Sequence, residues 1–286
     1  MKKLLYQFDT DALPSVFDNV VAYDGGADQV IPYGEVTPQN VGGLVEGAIF
    51  TRAPKDKRNT AIFVGGSNLL AGEMLYQAVQ KKFFGNFRVS MMLDSNGANT
   101  TAAACVAWLS HGRSLQGMKA VILAGTGPVG QRAAGMLSRE GASVSITGRQ
   151  LDKTQATCDA VERRFGVKVH AIAAPDLDAR TAAVQEAQII LATGASGVVL
   201  LEESHWKHLP NLKLVADANA TPPMGIKGID IMDKGAQRHG ALAFGAIGFG
   251  ALKLALHRAC VARLFVQNDL QLDANEIYAI AKTMVG

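Results

Sequence analysis

The six residues Gly125-Thr126-Gly127-Pro128-Val129-Gly130 carry the strongest chemical signal in the sequence. They follow an apolar run, 119–124, and open a segment, 128–140, with Val129, Ala133, Met136 and Leu137 near helical spacing. In that setting each glycine has its own task. Gly125 permits a tight turn, Gly127 lets backbone approach a pyrophosphate, and Gly130 lets helix and strand pack closely. The N-terminal amides of the helix then face the phosphates of a dinucleotide, which makes all six residues candidate contacts.

The end of the next strand reads the ribose. Thr147-Gly148-Arg149-Gln150, with Lys153 one turn on, offers no carboxylate for a free 2′-hydroxyl. An arginine there suits a 2′-phosphate, gripped through paired charge-assisted bonds. Gly148, Arg149 and Lys153 therefore point to NADP, with Asp152 as a helix cap. Thr193-Gly194-Ala195 and Asn219 end later strands and are candidates to fix the nicotinamide ring.

The elements around these residues alternate strand and helix, the pattern of a parallel sheet with crossover helices. Strands are expected at 119–124, 142–147, 167–172, 188–193, 212–217 and 242–244, with helices at 128–140, 151–165 and 176–187. That order describes a doubly wound dinucleotide-binding sheet. Upstream, strands at 4–8, 60–64 and 88–93 and helices at 14–21, 38–46 and 68–82 form a looser version of the same rhythm. A helix at 99–111 joins the halves. Helices at 252–265 and 274–284 close the chain, the last with Asp273 and Glu276 at capping-box spacing. The expectation is an α/β protein of two domains: a smaller α/β substrate domain at 1–117, a Rossmann-type doubly wound parallel sheet at 118–250, and C-terminal helices at 251–286 returning to the first.

Composition narrows the classes further. Of 286 residues, 48% are hydrophobic and 19% charged, a globular balance that argues against disorder. The longest nearly uncharged run, 241–252, is too short for a bilayer, and the apolar start breaks at Gln7, Asp9 and Asp11, so neither a membrane span nor a signal peptide is expected. The odd, scattered cysteines Cys105, Cys158 and Cys260 fit a reducing cytoplasm. A net charge of +3 without a basic block argues against nucleic acid. His205 and His208 lack a third ligand, so no metal is expected. His257 and Cys260 read as packed helix residues.

Motifs outside the glycine loop give a more specific reading. Phe8-Asp9-Thr10-Asp11, Pro14-Ser15-Val16-Phe17-Asp18, Tyr23-Asp24-Gly25-Gly26-Ala27-Asp28, Ala61-Ile62-Phe63-Val64-Gly65-Gly66 and Leu93-Asp94-Ser95-Asn96-Gly97-Ala98-Asn99-Thr100-Thr101 resemble the NADP-dependent methylene-tetrahydromethanopterin dehydrogenases of methylotrophic bacteria. Ala216-Asp217-Ala218-Asn219-Ala220, Pro222-Pro223, Leu252-Lys253-Leu254 and His257-Arg258-Ala259-Cys260 continue the match, which runs essentially end to end. Ile31-Pro32-Tyr33 and 50–54 lean toward a sister branch that takes NAD as well as NADP.

The resemblance implies an oxidoreductase of one-carbon metabolism, in formaldehyde oxidation, that moves a hydride from the pterin's one-carbon bridge to NADP. The donor carbon lies between two nitrogens, whose lone pairs expel the hydride and share the resulting cation. No proton leaves, so no general base is required. The protein's task is to hold two rings face to face with water excluded, in a cleft that closes during turnover. Candidate pterin contacts are Asp18, Asp24, Ser95, Asn96, Asn99, Thr100 and Lys253; Asp9, Asp11, Asp18 and Asp24 read equally as helix caps or turn residues. Side activity on methylene-tetrahydrofolate, and a homo-oligomer, also follow from the resemblance. The alternatives are a methylene-tetrahydrofolate dehydrogenase, where Lys253 would serve any hydrolysis of the methenyl product, and a non-catalytic NADP sensor.

Overall fold

A computed structural model describes residues 1–285; Gly286, the end of the expected C-terminal return, lies outside the described residues. The chain forms two compact units, Met1–Thr100 with Leu254–Ile280, and Thr101–Lys253 with the residues from Ala281 on.

The first unit holds a wholly parallel sheet. Its strands are β1 (Leu4–Asp9), β2 (Gln29–Tyr33), β3 (Thr60–Gly65), β4 (Ser90–Leu93) and a short late strand, β12 (Gln271–Leu272), in the order β12-β4-β3-β1-β2. Helices α1 (Val16–Asp24), α2 (Val41–Phe50) and α3 (Leu69–Lys81) connect the first four strands. Phe8, Ile62, Val64 and Met91 pack beneath Val45, Ile49, Leu75 and Val79, all buried. Strand β2 is absent from the sequence reading because Pro32 breaks its pattern. Its place at the sheet edge explains the proline, since an edge strand tolerates a residue that cannot donate to the ladder. Helix α2 lies some residues beyond its expected place. Asn40 and Thr37 bond each other's backbone amides in a turn that delays the start.

The second unit holds β5 (Lys119–Leu123), β6 (Ser143–Gly148), β7 (Val169–Ala173), β8 (Ile189–Ala192), β9 (Leu214–Asp217), β10 (Lys234–Arg238) and β11 (Ala241–Phe244), in the order β10-β11-β9-β8-β5-β6-β7. Apart from β10 this is the doubly wound order, which reverses direction between β5 and β8 and leaves a crevice at their carboxyl ends. Helices α4 (Ala98–Ser110), α5 (Pro128–Arg139), α6 (Leu151–Phe165) and α7 (Leu177–Val184) accompany the strands. Strand β10 was not expected, being polar and only half-buried. It exists as the antiparallel partner of β11 across a turn with positive φ at His239 and Gly240, the type I′ geometry that favours hairpins.

Helix α8 (Ala246–Leu264) starts six residues before its expected position. Gly245 and Gly248 are the reason. A Cβ on either would collide with backbone of residues 230–233, so these glycines serve close approach instead of breaking the helix. In α9 (Ala274–Met284) Glu276 accepts from the Asp273 amide at 3.2 Å, the return half of a capping box. Asp273 itself accepts from Ala274 N and from Asn99 Nδ2.

Candidate active site

The glycine loop stands at the carboxyl end of β5, before α5. A Cβ on Gly125 would lie 2.8 Å from Ile122 Cγ2 and 3.0 Å from Ile146 Cγ2, and one on Gly130 would lie 2.5 Å from the Gly125 carbonyl oxygen. Both positions are closed by the protein itself. Gly127 is different: extended, and with nothing within 4 Å of the place a Cβ would take. No internal contact calls for glycine there, while a ligand laid against the backbone would. Pro128 occupies the first turn of α5, where its missing N–H costs no hydrogen bond, and Thr126 O accepts from Gln131 Nε2 at 2.8 Å. Thr126, Pro128 and Val129 are half-buried around this opening.

Beside the loop lies a pocket of about 320 Å³ lined by Thr126, Arg149, Gln150, Lys153 and Thr154. A Cβ on Gly148 would clash with Thr154 Oγ1, so glycine lets α6 seat against the end of β6. Arg149 and Lys153 are exposed and cationic, and the lining holds no carboxylate. Asp152, read as a cap, is not one: Gln150 is the N-cap residue, and Asp152 sits in the first turn of α6, where its charge suits the helix dipole. The donor set fits a phosphorylated ribose.

The nicotinamide-side candidates divide. Thr193 and Gly194 are half-buried and Ala195 is exposed, with Thr193 N bonded to Leu123 O at 3.0 Å. Asn219 is buried, and its amide is engaged by its own loop: Oδ1 accepts from Thr221 N and Nδ2 donates to Pro223 O. The organiser of this loop is Asp217, which the sequence reading passed over. Fully buried, it accepts from Asn219 N at 2.9 Å and Ile226 N at 2.8 Å. Burial pushes its carboxyl above the ordinary range, and these amides pull the other way. An Asp two residues before an Asn in a Pro-rich turn was the available signal.

In the first unit the carboxyl ends of β1, β3 and β4 are tied by carboxylates. Asp9 accepts from Asp11 N and Ser15 N, and Asp11 accepts from Ser67 N and Oγ. Asp94 accepts from Thr100 Oγ1 at 2.6 Å and Thr100 N at 3.0 Å. Asn99 Nδ2 donates to Leu93 O at 2.6 Å, and Ser95 Oγ to Gly65 O at 3.3 Å. Ser95, Asn99 and Thr100 are thus wholly buried in protein contacts. They support a loop whose exposed member is Asn96, held at φ +56° with its N–H on Gly66 O. Asp18 is half-buried in the first turn of α1, whose N-cap Ser15 accepts the Asp18 amide. Asp24 is exposed and paired with Arg258 at 2.7 Å. Lys253 is half-buried on α8.

His257 is buried, stacked on Phe63 with its Nδ1 3.9 Å from Asp94 Oδ2. Among the described residues no group of three His, Cys, Asp or Glu side chains could hold a metal, and no helix is long and apolar enough to cross a membrane.

Residues 16–96 match the family model described as methylene-tetrahydromethanopterin dehydrogenase, N-terminal. Two proteins of Methylorubrum extorquens are similar to the chain. The bifunctional protein MdtA is 56% identical over 285 residues, covering 99% of each chain. An NAD(P)-dependent methylenetetrahydromethanopterin dehydrogenase is 36% identical over 225 residues, covering 76% of this chain and 75% of that one. Among solved structures, a shikimate 5-dehydrogenase of Listeria monocytogenes in complex with shikimate and NAD aligns with a TM-score of 0.54 at 13% identity, covering 99% of this chain and 96% of that one. A quinate dehydrogenase of Corynebacterium glutamicum in complex with NAD aligns at 0.53 with 14% identity, covering 98% of each. At such identities these two establish the fold alone. The identities to the two Methylorubrum proteins carry the assignment: the chain belongs to the methylene-tetrahydromethanopterin dehydrogenase family.

Proposed function

We propose that the chain catalyses reversible hydride transfer from methylene-tetrahydromethanopterin to NADP, giving methenyl-tetrahydromethanopterin and NADPH. The observation that carries the reading is the open approach at Gly127, between closed glycines and beside a pocket bearing Arg149 and Lys153. Bound NADP supplies the hydride acceptor. The protein's own part is positional. Residues 125–130 seat the pyrophosphate at the start of α5, Arg149 and Lys153 hold the 2′-phosphate, and 193–195 border the nicotinamide. Asn219 shapes that border through its backbone ties. In the first unit Asn96 and Asp18 are the substrate contacts we favour, with Ser95, Asn99 and Thr100 as their support, while Asp24 is occupied by Arg258; in the second unit Lys253 is a separate candidate.

The reading includes a cytoplasmic protein, in keeping with three buried free cysteines, and a homo-oligomer. Support for the latter comes from α1, whose solvent face is apolar at Val16, Val20 and Tyr23. The test is to mix purified protein with NADP and either methylene-tetrahydromethanopterin or methylene-tetrahydrofolate and follow NADPH. Formation with the first supports the proposal, formation only with the folate replaces the substrate, and none with either leaves an NADP-binding protein without this activity. Arg149→Ala should lower the NADP-to-NAD preference about 10- to 100-fold, the worth of one or two charge-assisted bonds. An unchanged preference would remove Arg149 from the site.

A further inference from the structure

The backbone enters the glycine loop through a residue in an unfavourable conformation. Ala124, between β5 and Gly125, has φ +51°, a left-handed conformation that residues other than glycine rarely adopt. Such a conformation persists only where its surroundings over-determine it. Here two threonines from neighbouring segments bracket it. Thr147, near the end of β6, accepts the Ala124 N–H on its Oγ1 at 3.0 Å and the Gly125 N–H on its carbonyl at 3.0 Å. Thr193, just past β8, directs its Oγ1 toward the carbonyls of Leu123 and Ala124 at 3.4 and 3.5 Å. Thr147 is 1% exposed, so its hydroxyl has little water to turn to.

From this we infer that Thr147 is the positioning residue of the dinucleotide site. It holds two successive amides and so fixes the direction in which the chain leaves β5, and with it the place of Gly127. It also stands two residues before Arg149. Its hydroxyl, on Ala124, and its carbonyl, on Gly125, together tie the entry to the pyrophosphate-binding loop to the segment that reads the ribose. This inference rests on residues 125–130 being the dinucleotide site.

Replacing the hydroxyl with a methyl keeps the shape and β-branching suited to a strand, but leaves the Ala124 N–H without its acceptor. Ala124 is then free to relax to negative φ and carry Gly127 with it.

The experiment measures NADP affinity by calorimetry, separately from activity. Thr147→Val should weaken NADP binding about tenfold, the usual consequence of orphaning one buried donor. Thr147→Ser, which retains the acceptor, should stay within about twofold of the parent protein. Ala124→Gly, which adopts positive φ freely, should recover part of the loss when added to Thr147→Val. The KM for NADP should rise with the dissociation constant, while the KM for the pterin stays near that of the parent protein. A residue that merely supports the fold would lower the melting temperature without this selective loss. Equal NADP affinity in Thr147→Val and the parent overturns the inference, as does failure of Thr147→Ser to restore binding. Gly127→Val separates that outcome from a wrong site. Its side chain enters open space, so the protein should fold while NADP binding is lost. If Gly127→Val also binds NADP normally, the glycine loop itself is not the site.

Discussion

The carboxyl ends of the two parallel sheets carry loops of opposite construction. In the second unit the loop after β5 is shaped by missing side chains: Gly125 and Gly130 are closed by backbone and Ile contacts, and Gly127 opens to empty space. In the first unit the loops after β1, β3 and β4 are held by side chains that accept several bonds each. Asp11 reaches Ser67 across 56 positions, and Asp94 takes both polar hydrogens of Thr100. A site that must admit a long phosphate chain against backbone uses glycines. The polar loops of the first unit, which we propose face the pterin, are instead stiffened by carboxylates behind them.

The largest expected effect tests the first half of that contrast. Gly130→Ala would place a methyl 2.5 Å from the Gly125 carbonyl oxygen and 2.6 Å from its Cα, where nothing flexible can yield. Urea unfolding should show a loss of about 3 kcal/mol or more. Gly127→Ala should leave stability within about 0.5 kcal/mol, as surface changes usually do. If the two variants unfold alike, the glycines do not have the separate tasks assigned to them.

In the first unit the corresponding change is Asp94→Ala, which strands the Thr100 amide and hydroxyl in a buried setting. The expected loss is about 2–3 kcal/mol. Asp94→Asn should cost about 1 kcal/mol, because the Thr100 hydroxyl can turn and accept from the new amide while Oδ1 keeps the backbone N–H. Equal losses for Ala and Asn would place the energy in the charge, toward His257 3.9 Å away, instead of in the paired bonds.

The same contrast explains what the sequence disclosed. The nucleotide sheet was legible because its signals are local: apolar runs, a glycine spacing, and a cation where an acid could stand. Within it, β10 escaped notice because pairing, not composition, makes it a strand. The polar loops of the first unit were only half legible. Ser95, Asn96, Asn99 and Thr100 stand in one short segment of similar polarity, and no spacing rule separates the exposed Asn96 from its buried neighbours. That division depends on Asp94, Gly65 and Gly66, and on Asp273 much later in the chain. Asp24 looked like Asp18 until α8 brought Arg258 beside it. Thr147 had no pattern to betray it, since its role lies in a bond to another strand's end.

Asp24→Ala is expected to do little: exposed ion pairs contribute about 0–1 kcal/mol. With the pair removed and Asp18 intact, the KM for the pterin should not change. A marked rise would return Asp24 to the substrate site beside Asn96 and Asp18.

The smallest effect concerns the interiors, where the two units should behave alike. Cys260 lies in the first unit and Cys105 and Cys158 in the second, all buried. Burial, aided by Asp94, pushes the Cys260 thiol up to about 12; burial, aided by Asp217, does the same for Cys105, and burial first and then Asp159 and Glu162 raise Cys158 to about 11. A raised thiol pKa means the folded state holds the proton. At pH 8 the thiolate fraction is then about one in a thousand or less, against roughly a quarter for a free cysteine of pKa near 8.5. Alkylation of the native protein at pH 8 should be barely measurable at all three sites. Sub-denaturing urea should accelerate it only as each unit opens. If Cys260 labels well before Cys105 and Cys158, the carboxylate-tied unit is the less stable of the two; the reverse order would make the glycine-shaped unit the weaker one.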